Sequence, residues 1–253
     1  MKQQNLLQQL RREVAKLASK EKAAFVSGFF KTGKGQYGEG DVFVGLTVPQ
    51  SRDIAKKYKD FPFKDVETLL QSEIHEERLI ALLILVAQFQ KADPKEQNAL
   101  VDFYLAHTKY INNWDLVDLS ADKIVGEYLY SSRKERSLAK GGRSDNSLDL
   151  LKTLAKSPSL WERRIAMIST YAFIKNGKSD EAITIATLLL HDKNDLIQKA
   201  VGWMLREVGK RVSREDLKNF LTKHKHEMGR TALRYAIEHF SEEERKKYLL
   251  RKK

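Results

Sequence analysis

Trp114 and Asp118 stand four residues apart, a spacing that puts both on one face of a helix. Asn112 and Asn113 fall where that helix should begin. Arg164 belongs to a second helical stretch, and Trp203 and Arg206 share a face on a third. These residue types can do chemistry on a cation. A carboxylate stabilises positive charge that develops during a reaction, and an indole face attracts a cation. A structural alternative is equally open at this point. Tryptophans fill cores, and an aspartate in an apolar context such as LVDLS can cap a neighbouring helix.

Other motifs fail on inspection. Gly33, Gly35 and Gly38 satisfy G-x-G-x-x-G, but a helical stretch (AAFVSGFF) precedes them where the dinucleotide fingerprint needs a strand. Gly28 to Lys34 nearly spells a Walker A motif, with Gly35 where the magnesium-binding Ser or Thr belongs. His75-Glu76-Glu77-Arg78-Leu79 opens like a zinc H-E-x-x-H motif and lacks the second histidine. His224 and His226 sit in a basic run and read as solvated rather than metal-bound. No serine or lysine constellation points to nucleophilic catalysis, and neither metal nor cofactor is implied.

The elements that must position the tryptophans and the aspartate are helices. Periodicity predicts them over 77–89, 114–129, 161–174, 180–190, 196–208 and 231–240. Only DVFVGLT, residues 41–47, has strand-like colour, and it is short enough to be a loop on the core. Four helices look alike: EERLIALLIL from Glu76, ERRIAMISTY from Glu162, IQKAVGWMLR from Ile197 and GRTALRYAIE from Gly229. Arg164, Lys199 and Thr231 occupy equivalent places, at steps of 35 and 32 residues. Degenerate all-helical repeats of that length predict an all-α solenoid of HEAT-like antiparallel helix pairs, a single domain over 1–253 with a concave basic face. Two stretches interrupt the pattern. Residues 32–41 are glycine-rich, and 131–147 (SSRKERSLAKGGRSDNS), with five basic residues and a Gly-Gly, reads as a mobile basic surface loop.

Composition narrows the partner. Lysine and arginine outnumber acidic residues 46 to 34, a net charge of +12 that favours a polyanion on a folded chain, nucleic acid first. The chain has no cysteine, which excludes disulfides, thiolate zinc sites, iron–sulfur clusters and cysteine nucleophiles. The longest apolar run, 79–87, has nine residues against the roughly 20 of a membrane span. The first seventeen residues carry their apolar side chains at three- and four-residue steps, as an amphipathic helix does, and no signal-peptide core.

With these residues in view, the sequence resembles the AlkD-type alkylpurine DNA glycosylases, a HEAT-like-repeat family of DNA alkylation repair enzymes. The matching segments are VPQSR (48–52), NNWDLVDLS (112–120), LWERRIA (160–166) and DLIQKAVGWMLRE (195–207). Trp114 matches the family's first active-site tryptophan and Asp118 its catalytic aspartate. Arg164 matches the arginine that grips DNA beside the lesion, Trp203 the second cleft tryptophan, and Arg206 a basic residue beside it. Arg52 and Lys199, inside matching segments, complete the expected DNA-contacting set.

The resemblance implies hydrolysis of the N-glycosidic bond of cationic N3- or N7-alkylated purines in duplex DNA, without base flipping. It implies a cytoplasmic monomer, on the bacterial nucleoid when acting, with no cofactor and no membrane. The competing class is a non-catalytic basic helical-repeat protein that only binds DNA or another acidic partner. The Trp–Asp–Arg–Trp set separates the two, since a scaffold has no need of it.

Overall fold

The computed structural model describes residues 2–138 and 147–250. It is all-α: among the described residues there is no strand, and the 41–47 stretch contributes one isolated bridge, between Val42 and Ile74. No helix among them is long and apolar enough to cross a membrane. The chain divides into two compact units, Met1–Ser120 and Ala121–Lys253.

The first unit contains α1 (Lys2–Leu17), α2 (Lys20–Ser27), α3 (Val48–Lys57), α4 (Phe63–Leu70), α5 (His75–Phe89), α6 (Pro94–Ala106), a 3-10 turn at Thr108–Tyr110, and α7 (Trp114–Ser120). α5 is apolar all round from Leu79 to Ala87. That pattern belongs to a helix with no solvent face, and α3, α4, α6 and α7 pack around it. Its first turn is HEER, four polar residues that are all buried. Each is bonded to residues beyond the helix, so the charged turn staples the unit: Glu77, for example, takes a bidentate bond from Arg11 of α1 at 3.0–3.3 Å. α3 and α6 start on capping boxes, Thr47 with Gln50 and Asp93 with Glu96, each with a proline in the first turn.

The second unit opens on a π-helical turn, Asp122–Gly126, and continues through α8 (Glu127–Leu138), α9 (Ser147–Ala155), α10 (Leu160–Ser169), α11 (Tyr171–Lys175), α12 (Asp180–Leu188), α13 (Asp195–Arg211), α14 (Arg214–His224), α15 (Arg230–Ala236) and α16 (Glu242–Leu249). α13 is central, packed by α10, α12, α14 and α15. Gly202 lets α15 approach it. A Cβ there would stand 2.4 Å from the Ala232 carbonyl oxygen. The four look-alike segments form α5, α10, α13 and α15, the helices whose apolar stripes make the two cores.

Three expectations change. The helix expected over 114–129 is interrupted by the π-turn, where Gly126 lies against Ser169: a Cβ would meet its carbonyl oxygen at 2.4 Å. The helix expected over 161–174 breaks at Thr170, whose hydroxyl donates back to the Met167 carbonyl at 2.7 Å. The basic stretch expected as a loop over 131–147 is helix through Leu138, because its first half is made of good helix formers and its glycines begin only at Gly141. α9 starts at Ser147, and 139–146, with the rest of that expected loop, lies outside the described residues.

Candidate active site

α7 is a short helix with a heavily anchored start. The Asn113 side-chain oxygen accepts from the Trp114 backbone N–H at 2.8 Å, and Asp115 accepts from the Leu116 N–H at 2.9 Å. Leu116 and Val117 face the core, while Trp114 and Asp118 are half-buried on the opposite side, one turn apart as their spacing predicts. The shared face is therefore real, and it is only partly covered.

Behind Trp114 stands a stack of rings. The indole lies on Phe30 at 5.3 Å between centroids and 17° between planes. Phe30 lies on Phe43 at 4.9 Å, and Phe43 on the His75 imidazole at 4.6 Å. His75, buried at the start of α5, bridges two carboxylates: Nδ1 is 3.3 Å from Asp41 and Nε2 is 2.8 Å from Asp115. Burial alone would push its pKa down. The hydrogen bonds to Asp115 and Asp41 outweigh burial and raise it to about 9, against the nearby Arg78 charge. The same contacts act on Asp41. Burial would raise its carboxyl, but His75, Arg78 and Asn113 hold it below the usual aspartate value.

His75 is therefore a cation in the folded chain at neutral pH, and stability should follow its proton. A folded-state pKa raised from 6.5 to about 9 contributes fully below pH 6.5, and the contribution disappears as pH rises through 9. The most it can supply is on the order of 3 kcal/mol, with Asp41, Asp115 and Arg78 facing the ring. Thermal melts at pH 7 and pH 9 should show a larger fall in Tm for the natural chain than for His75→Gln. Parallel falls in the two proteins would mean that the imidazole is not charged.

The remaining expected residues occupy other places. Arg52 is exposed on α3 of the first unit. On α13 of the second unit, Lys199, Trp203, Arg206 and Lys210 recur at three- and four-residue steps along one partly or fully exposed face. Lys199 pairs with Asp195 at 2.8 Å, and Arg206 is held by Glu207 at 3.3 Å and by Glu238 of α15. Arg164, expected to grip DNA beside the lesion, lies on α10 of the second unit. It is 4% exposed, and its guanidinium donates to the Leu196 carbonyl in the first turn of α13. That contact ties α10 to α13.

Sequence reasoning missed Asp41, His75, Phe30 and Phe43. His75 was weighed only as half of a zinc motif, and among the described residues no cluster of histidines and carboxylates could hold a metal ion. The missed signal was four consecutive charged or polar residues at the head of the most apolar helix.

The family model for DNA alkylation repair enzymes matches residues 10–240. A solved structure described as a predicted DNA alkylation repair enzyme from Enterococcus faecalis superposes with a TM-score of 0.66. The alignment is 17% identical and covers 89% of this chain and 97% of that one, a likeness of fold. No curated protein matches the chain.

Proposed function

We propose a reaction for a chain that belongs to the DNA alkylation repair enzyme family: hydrolysis of the N-glycosidic bond of purines alkylated at N3 or N7 in duplex DNA. The observation that carries this reading is the half-buried Trp114–Asp118 face of α7, a carboxylate and an indole one turn apart on a helix whose start Asn113 anchors. Alkylation at N3 or N7 puts a positive charge on the base and makes it a good leaving group, so no general acid is needed. As the bond to the base breaks, its electron pair leaves with the base and the sugar becomes oxocarbenium-like. The Asp118 carboxylate stabilises that charge and orients the incoming water. The indoles of Trp114 and Trp203 each contribute cation–π attraction worth roughly 0.5–2 kcal/mol.

The DNA backbone is held by Arg52 and by the basic face of α13, Lys199 and Arg206. Arg164 acts by fixing α13 beneath that face. The lesion stays stacked in the duplex, as in the enzymes the sequence resembles, so lesion charge decides the substrate more than lesion size does.

The test is a duplex carrying one 7-methylguanine. Incubation with the protein should release free base, and an otherwise identical duplex carrying neutral O6-methylguanine should release none. Tight binding to both duplexes without release from either would favour the non-catalytic DNA-binding repeat protein. Release from both would remove lesion charge as the selector.

A further inference from the structure

Asp41 plays no part in the reaction above, yet it is a carboxylate only 4% exposed that accepts three side-chain hydrogen bonds. Oδ1 takes Arg78 at 2.5 Å. Oδ2 takes the Asn113 amide at 2.9 Å and His75 Nδ1 at 3.3 Å. His75 then passes the connection to Asp115 at 2.8 Å. Asn113 and Asp115 are the two neighbours of Trp114 in the chain. Both sides of the tryptophan are thus pinned by one buried ionic network, while its ring rests on Phe30 and Phe43.

These partners arrive by way of the glycine-rich segment. Phe30 precedes it, Asp41 ends it and Phe43 follows. Gly38 donates to the Lys31 carbonyl at 2.8 Å to close the loop, and Gly35 and Gly40 sit at φ +75° and +87°, which few other residues tolerate. Val42 then clips to the start of α5, donating to Glu73 at 3.1 Å and accepting from His75 N–H at 2.8 Å.

We propose that Asp41 and His75 are positioning residues for Trp114, and that the glycine-rich segment exists in this chain to deliver Asp41, Phe30 and Phe43 behind it. The proposal rests on the reading of the Trp114–Asp118 face as the reactive one. A ring that must meet a short-lived cation face-on is useful only if it is already in place, since a displacement of about 1 Å can cost on the order of 100-fold in rate. A network that merely stabilised α5 against α7 would have no reason to hold both neighbours of the indole.

The test reads the ring and the reaction separately. The full chain labelled with 5-fluorotryptophan should give one 19F resonance for each of its three tryptophans, with Trp114 assigned from Trp114→Phe. Asp41→Ala should shift or broaden the Trp114 line and leave those of Trp161 and Trp203 in place. It should also lower kcat for 7-methylguanine release about tenfold, with KM little changed. Phe43→Leu leaves the ionic network whole and removes one ring. It should move the same line, and it replaces Asp41→Ala in the comparison if that variant does not fold.

An unmoved Trp114 line in the folded variants overturns the proposal, and so does a moved line with unchanged release. If the natural chain releases no base, the reaction reading fails by itself, and the 19F spectra alone decide whether Asp41 and Phe43 place the ring.

Discussion

Asp118→Asn is expected to slow single-turnover release of 7-methylguanine about 100-fold while leaving duplex affinity close to that of the natural chain. The substitution keeps size and hydrogen-bonding capacity and removes only the charge. If the carboxylate stabilises the developing sugar cation, its loss is felt in the transition state and hardly in the bound ground state, so kcat falls and binding does not. The magnitude is set at the low end for a preorganised group because the bond to a cationic base is already weak. Trp114→Ala and Trp203→Ala should each cost less, about 3- to 30-fold, since each removes one cation–π contribution. Equal release by natural chain and folded Asp118→Asn would return the aspartate to a helix-capping role. A loss of affinity equal to the loss of rate would make it a binding residue.

How much of this was visible in the sequence depends on the range over which each feature is determined. The apolar registers of α5 and α13 are local, and they were legible because a buried helix repeats its pattern within its own length. Trp114 and Asp118 were legible for the same reason, four residues apart on one turn. The π-turn at Asp122–Gly126 was not. Ile124, Val125 and Leu129 satisfy an uninterrupted helix equally well, and the wide turn answers to Gly126 meeting Ser169, more than forty positions on.

The Asp41–His75–Asp115 network was hidden in the same way, since its members are separated by 34 and 40 residues and follow no period. Burial of Arg164 was hidden because an arginine in a helix ordinarily reaches water. Here its acceptor is a backbone carbonyl, and any residue at 196 would supply one.

Glu76→Ala is expected to give the largest stability loss of any substitution outside the reactive face, a fall in Tm of roughly 6–12 °C. Glu76 is 2% exposed, and its carboxylate accepts three backbone N–H groups in a row, from Val44 at 3.1 Å, Gly45 at 2.7 Å and Leu46 at 3.2 Å. Alanine would leave those donors with no acceptor. Each orphaned buried donor costs about 1–3 kcal/mol, so about 3 kcal/mol is the least expected, and a chain of this size loses about 2–4 °C per kcal/mol.

The segment cannot turn away to find other acceptors. Gly45 sits at φ +85°, its Cβ position is 2.3 Å from the Ser19 carbonyl oxygen, and Ser19 N–H is bonded to the Val44 carbonyl at 2.8 Å. Glu76→Gln separates charge from geometry. It retains the oxygen that all three donors reach and points an amide N–H₂ at the Val44 N–H that also faced the other, so its melting temperature should fall between those of alanine and the natural chain. A glutamine variant as stable as the natural chain would show that hydrogen-bond count, and not charge, holds residues 44–46 in place. Because those residues continue directly from Asp41 and Phe43, the alanine variant should also broaden the Trp114 19F line, coupling the largest stability loss to the ring on which the reaction depends.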